Sequence, residues 1–102
     1  MPSEYTLRPY GEIDIASVED LQPRWVAQLD QHRPDCLLID LSDVTFLDSS
    51  GISLILVMHK RQQRGGGAVV ITNPPTFIRK LLALTGVDQV IEVRTHSAVA
   101  ED

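Results

Sequence analysis

The chain has 102 residues, 43% hydrophobic and 23% charged, with a net charge of −5. Both fractions are near the globular average, and the length allows one small core. Nine Lys plus Arg against fourteen Asp plus Glu argues against nucleic acid, which needs a clustered positive surface. The longest apolar run, Leu54 to Met58, is too short for membrane insertion, and no apolar signal segment follows Met1 to Tyr10. A lone cysteine, Cys36, cannot close an internal disulfide, so a reducing, cytoplasmic location is expected. No His, Cys and carboxylate cluster has metal-ligand spacing, and no cofactor is expected.

Tyr5 to Tyr10 reads as an antiparallel edge strand. Gly11-Glu12-Ile13-Asp14-Ile15 alternates polar and apolar residues and reads as the first central strand. Leu21, Trp25 and Leu29 then recur every four residues with Val26 beside them, the mark of an amphipathic helix. Ser17 followed by Asp20 has capping-box spacing. Pro23 leaves two readings: the regular helix starts near Asp20, or one backbone bond is lost. Pro34 ends the helix.

Cys36 to Leu41 is a nearly continuous apolar run, as in a strand buried on both faces, and Cys36 is expected to be buried and inert. Asp43 to Asp48 reads as a connection whose Val44, Phe46 and Leu47 fold back on the core. Ile52 to Gln63 is the middle helix, with Ile52, Ile55, Leu56 and His59 on one face and Lys60, Arg61 and Arg64 in its last turn, where the helix dipole favours cations. Leu54, Val57 and Met58 cover much of the rest. Periodicity leaves open whether neighbours cover that apolar remainder or it is a partner surface. Gly65-Gly66-Gly67 stops the helix, and Ala68 to Thr72 is a second buried strand. Asn73-Pro74-Pro75 turns into a helix lined by Ile78, Leu81 and Leu82 and closed by Gly86. Val90 to Val93 is a last strand, and residues 94–102 are expected to form a flexible tail.

This order of strands and helices predicts an α/β domain over residues 5–93, mostly parallel, with right-handed crossovers. Sites in such sheets form beyond the carboxyl ends of the strands. Asp14, Asp48-Ser49-Ser50-Gly51, Thr72 and Asn73 fall there and are expected to cluster. Asp48-Ser49-Ser50-Gly51 fits two roles. Asp and Ser cap free N–H groups at a helix start. A serine there also suits phosphorylation, because the dipole and the N–H groups favour an anion. No histidine sits at a strand end near Ser50, so serine hydrolysis lacks its base. No lysine follows the last strand, so a phosphoaspartate receiver lacks its full constellation.

Asp40-Leu41-Ser42-Asp43-Val44-Thr45-Phe46-Leu47-Asp48-Ser49-Ser50-Gly51-Ile52 resembles the signature of STAS domains, specifically bacterial anti-sigma factor antagonists. Gly11-Glu12-Ile13-Asp14 matches an earlier block of that family. Gly66-Gly67 before Val69-Val70-Ile71, and Leu81 to Val87, match later blocks. The similarity runs from about Tyr5 to Val93. It implies a single STAS domain without catalysis of its own. The unmodified form would bind an anti-sigma factor that is also a serine kinase of the GHKL type, releasing a sigma factor. Phosphorylation of Ser50 would reverse binding, and a metal-dependent serine phosphatase would restore it. Asp14, Asp48, Ser49, Gly51, Ile52 and Asn73 map to the partner-facing surface. About ten residues precede Gly11, so the resemblance also implies an N-terminal edge strand that is shortened or missing, and a monomer or weak homodimer. The rival reading is a STAS subunit of a lipid-transport ABC system or another non-phosphorylated adaptor.

Overall fold

A computed structural model of the chain describes residues 3–95. In chain order the elements are β1 (Glu4–Leu7), β2 (Tyr10–Ile13), α1 (Ile15–His32), β3 (Cys36–Asp40), β4 (Asp43–Leu47), α2 (Ser49–Arg64), β5 (Ala68–Thr72), α3 (Thr76–Thr85), a short 3-10 turn (Val87–Gln89) and β6 (Glu92–Arg94). Most of the expected tail, residues 96–102, lies outside the described residues, and Arg94 belongs to β6.

The mostly parallel α/β architecture stands, but the strands divide differently. Four of them form a sheet in the order β1-β3-β5-β6, while β2 and β4 form a two-stranded sheet of their own, and every described pairing is parallel. Three expectations are corrected. The N-terminal edge strand, shortened to four residues as one of the two expectations had it, runs parallel to β3 and not antiparallel, with Tyr5 opposite Leu37 and Leu7 opposite Ile39. Gly11 to Ile13 is not a central strand of the large sheet. Asp43 to Leu47 is a strand rather than a connection.

Leu7, Leu37, Ile39, Val69 and Ile71 alternate along their strands and join one core cluster with Trp25 and Leu29 of α1, Ile55 and Met58 of α2, and Ile78 and Leu82 of α3. This is period-2 alternation meeting helical stripes. Gln62, a buried polar side chain of α2, is satisfied by donating from Nε2 to the Pro34 carbonyl at 3.0 Å and the Ala68 carbonyl at 3.2 Å. It ties the end of α2 to the starts of β3 and β5.

Of the two readings of Pro23, the helix that runs through it is the one observed. Its capping box lies one turn earlier than expected, formed by Asp14 and Ser17 instead of Ser17 and Asp20. Arg33 closes α1 in the left-handed region at φ 45°. α2 begins at Ser49, three residues before its expected start. Its apolar girth is covered by neighbours, since Ile52, Leu54 and Ile55 are all buried. Val44 and Leu47 do turn inward, but Phe46 is 46% exposed. Cys36 is half-buried, and burial, with Glu4 beside it, pushes its thiol pKa up, which disfavours the reactive thiolate.

Candidate functional site at the carboxyl end of the two-stranded sheet

The site begins with a local irregularity. Tyr10 pairs with Asp43 and Gly11 with Val44, but Glu12 pairs with Phe46 and Ile13 with Leu47. One residue of β4, Thr45, is skipped, which is a bulge. Gly11 stands at the shift with φ +75°, a conformation that glycine adopts without a Cβ penalty. The shift sets Ile13 level with Leu47, so the two strands end together. The next residue on each, Asp14 and Asp48, caps the helix that follows.

Asp14 Oδ1 accepts the Ser17 N–H at 3.0 Å, and the Asp14 N–H donates to Ser17 Oγ at 2.8 Å. This is a reciprocal capping box with Ser in the third position. The Ser17 N–H holds the Asp14 carboxyl below the usual carboxylate range, because a hydrogen bond to the charged form favours that form. Asp48 caps α2, its Oδ1 accepting the Ser50 N–H at 2.9 Å and the Ser50 hydroxyl at 2.8 Å. The Asp48 N–H reaches back to the Ile13 carbonyl at 3.4 Å. Ser50 is half-buried and Ser49 is exposed.

Gly51 is buried against this strand pair. A Cβ there would lie 2.2 Å from Leu47 Cδ1 and 2.9 Å from Ile13 Cγ2. The glycine therefore allows the first turn of α2 to sit directly on both strand ends. Ile52 is also buried, which corrects its expected place on the partner-facing surface: it packs inward in the core cluster. Two apolar side chains that sequence reasoning did not assign to the surface flank the caps. Ile15, one residue after Asp14, is 70% exposed, and Phe46 precedes Leu47. The alternation over Gly11 to Ile15 assigns Ile15 to a strand, and the apolar pattern assigns Phe46 to the core. The bulge in the β2–β4 pairing, invisible to period-2 reading, accompanies the second error.

Asn73 is built on the other sheet. It follows β5 in the left-handed region, φ 54°, and its N–H donates to the Arg94 carbonyl at 2.8 Å. It belongs with Asp40, which is buried and ion-paired with Arg8 at 3.2 Å. Burial acts to raise the Asp40 carboxyl. Hydrogen bonds from the Ser42 N–H and side chain, the Arg8 charge and the Asn73 side chain together outweigh it and hold the pKa below the usual range. Thus Asp14, Asp48, Ser50 and Gly51 are gathered on one platform, while Asn73 lines a shallow groove with Arg8, Asp40 and Thr72. Among the described residues no group of His, Cys, Asp and Glu could hold a metal ion, and no helix is long and apolar enough to cross a membrane.

The family model for the STAS domain matches residues 2–101, and the chain belongs to that family. An anti-sigma F factor antagonist of Lysinibacillus sphaericus is 27% identical over 80 residues, 78% of this chain and 68% of the relative. The crystal structure of an anti-sigma factor antagonist from Mycobacterium paratuberculosis superposes with a TM-score of 0.80 at 25% identity. It covers 90% of this chain and 77% of that one. The antagonist SpoIIAA in its unphosphorylated form superposes with a TM-score of 0.78 at 21% identity, over 97% of this chain and 86% of its own. SpoIIAA of Bacillus in the phosphorylated form superposes with a TM-score of 0.70, again at 21% identity, over 97% of this chain and 89% of its own. At 21% identity the SpoIIAA likeness carries the fold alone.

Proposed function

We propose that this chain is a cytoplasmic anti-sigma factor antagonist switched by phosphorylation of Ser50. Unmodified, it binds an anti-sigma factor that is also a serine kinase of the GHKL type, and a sigma factor is released. The kinase transfers the γ-phosphoryl group of ATP to Ser50 Oγ, the bond to the β-phosphate breaks and ADP leaves with the hydroxyl proton, and the complex separates. A metal-dependent serine phosphatase hydrolyses the ester and restores the binding form. The chain supplies the acceptor and the contact surface, and its partners supply the catalysis.

The observation that carries this reading is the position of Ser50. It stands in the first turn of α2 with its hydroxyl oxygen 2.8 Å from the cap carboxylate, on a platform shared with Asp14. Phosphorylation adds about −1.5 to −2 charge at pH 7. On a surface already bearing Asp14 and Asp48, that charge opposes an acidic or apolar partner by repulsion and desolvation. Asp14, Asp48 and Ser49 are assigned as contacts, Gly51 as the residue that sets the close approach of α2, and Ile15 and Phe46 as apolar contacts beside them. The antagonist named for the Lysinibacillus relative supports the same role.

The test is a pull-down from lysate of the native organism with wild-type, Ser50→Ala and Ser50→Asp baits, read by mass spectrometry. A GHKL-type kinase retained by wild type and Ser50→Ala and lost with Ser50→Asp is the expected result. An ABC ATPase or permease retained by all three baits would make the chain a transport subunit and leave Ser50 as part of a helix cap.

A further inference from the structure

β1 is an edge strand: among the described residues it pairs with β3 on one side and with no strand on the other. The phase of the pairing shows which of its backbone groups are spare. The Cys36 N–H donates to the Ser3 carbonyl at 3.0 Å, and Tyr5 stands opposite Leu37. In a parallel ladder alternate residues turn their backbone groups to the same neighbour. Ser3, Tyr5 and Leu7 therefore face β3, and Glu4, Thr6 and Arg8 present their N–H and C=O groups at the free edge. The first helix does not close that edge. A groove of ≈ 450 Å³ runs along it, lined by Tyr5, Thr6 and Leu7 of the strand and Leu21, Trp25 and Gln28 of α1.

A free edge of this kind is a template for another strand, and charged side chains ordinarily discourage the pairing. Here the charges are opposite in sign and symmetrically placed, Glu4 two residues before Thr6 and Arg8 two residues after it. All three residues are exposed, while Tyr5 and Leu7 turn to the core side of the sheet.

We propose that this edge is a self-association surface, on which β1 of a second copy pairs antiparallel with β1 about a two-fold axis through Thr6. Residues opposite each other in a sheet share a face, so the axis passes through a residue and not between two. Centred on Thr6, the pairing sets Thr6 opposite Thr6 of the partner subunit and Glu4 opposite Arg8 of the partner subunit, in both directions. These are the residues with spare backbone groups, so each pair exchanges both hydrogen bonds. Centring on Tyr5 or on Leu7 would lose the match of charges. Opposite charges and facing threonines each favour a cross-strand pair. Arg8 Nε is held by Asp40 at 3.2 Å, which keeps the guanidinium at the edge and leaves its terminal nitrogens for Glu4 of the partner subunit. The contact is one short strand pair, so the dimer is weak and depends on concentration.

The test is sedimentation equilibrium of the full chain from about 1 μM to 1 mM, the range in which a weak interface assembles. Wild type is compared with two variants. Thr6→Pro removes an edge N–H that β3 does not use, a place where a strand tolerates proline. Glu4→Arg sets like charges opposite each other at both ends of the pair. Wild type should show a reversible monomer–dimer equilibrium. Thr6→Pro should be monomeric throughout, and Glu4→Arg should raise the dimer dissociation constant about tenfold or more. Thermal melting of each variant checks that the fold is kept, and if Thr6→Pro does not fold, Glu4→Arg decides. A wild type that stays monomeric over the whole range, or a dimer that either folded variant leaves at wild-type strength, would overturn the proposal.

Discussion

Ile13 and Leu47 are opposite partners in the parallel pairing of β2 with β4, and the residue following each is the N-cap of a helix. The pairing is thus the reason two acidic caps stand together at one end of a two-stranded sheet. It also fixes what can lie above them. The first turn of α2 rests on both side chains, and any Cβ at position 51 would force Leu47 and Ile13 to shift.

Gly51→Ala should therefore destabilise the protein. In an exposed helix the change would gain about 1 kcal/mol from helix propensity. Here the new methyl group would meet Leu47 Cδ1 at 2.2 Å and Ile13 Cγ2 at 2.9 Å, and both side chains are buried. Overpacking of this kind costs about 1–3 kcal/mol. The expected net loss is about 0–2 kcal/mol, read as a lower urea midpoint with an unchanged m-value. A midpoint at or above wild type would show that the contact is readily relaxed.

Asp14 separates stability from recognition. Asp14→Ala removes the capping box of α1 and should lower the urea midpoint, as the loss of a helix cap does. Asp14→Asn keeps a cap-forming side chain and removes the charge. If Asp14 is a contact for the kinase, Asp14→Asn should weaken that complex while leaving the urea midpoint near wild type. Binding calorimetry beside denaturation distinguishes the two, and unchanged affinity in Asp14→Asn would confine Asp14 to its structural role.

Pro23 sits inside α1 and is exposed. It cannot donate to the carbonyl one turn back, and its ring crowds the preceding turn, at about 3 kcal/mol relative to Ala in a helix interior. Part of that is offset because proline restricts the unfolded chain. Pro23→Ala should stabilise by about 2–2.5 kcal/mol, seen as a raised urea midpoint. An unchanged midpoint would mean that the helix has absorbed the proline at little cost.

The elements readable from the sequence are those whose signal is local. Cys36 to Leu41 and Ala68 to Thr72 are apolar runs of strand length, and Leu21, Trp25 and Leu29 carry an unambiguous helical period. Asp48 to Gly51 declares a helix start by its chemistry. The misread features depend on what lies far away in the chain. The partition into two sheets is a matter of which strand pairs with which, and the β2–β4 bulge lies in a strand whose Val44, Phe46 and Leu47 do not alternate. Asp14-Ser17 and Ser17-Asp20 share the same spacing, so spacing alone does not single out the Asp14-Ser17 cap of α1. The resemblance maps Ile52 to the partner-facing surface with Ser50, but a helix turns by about 100° per residue, so the two sequence neighbours need not share a face, and Ile52 is buried.

Asp40 links the fold to pH. Its carboxyl is held below the usual carboxylate range in the folded state although burial opposes this. A depressed folded pKa contributes stability that is fully present above the unfolded value, about 3.9, and that is lost as pH falls through the folded value. Asp14 acts in the same direction. The urea midpoint of wild type should therefore be flat on this account from neutral pH to about 5 and fall progressively below about 4. Asp40→Asn keeps an oxygen that can accept the Ser42 N–H but removes the attraction to Arg8. It should be less stable than wild type at pH 7, with the gap narrowing as pH falls and wild-type Asp40 becomes protonated. Midpoints measured from pH 7 to 2 for both proteins test this. A gap that stays constant over that range would show that Asp40 contributes through packing and neutral hydrogen bonds instead of through its charge.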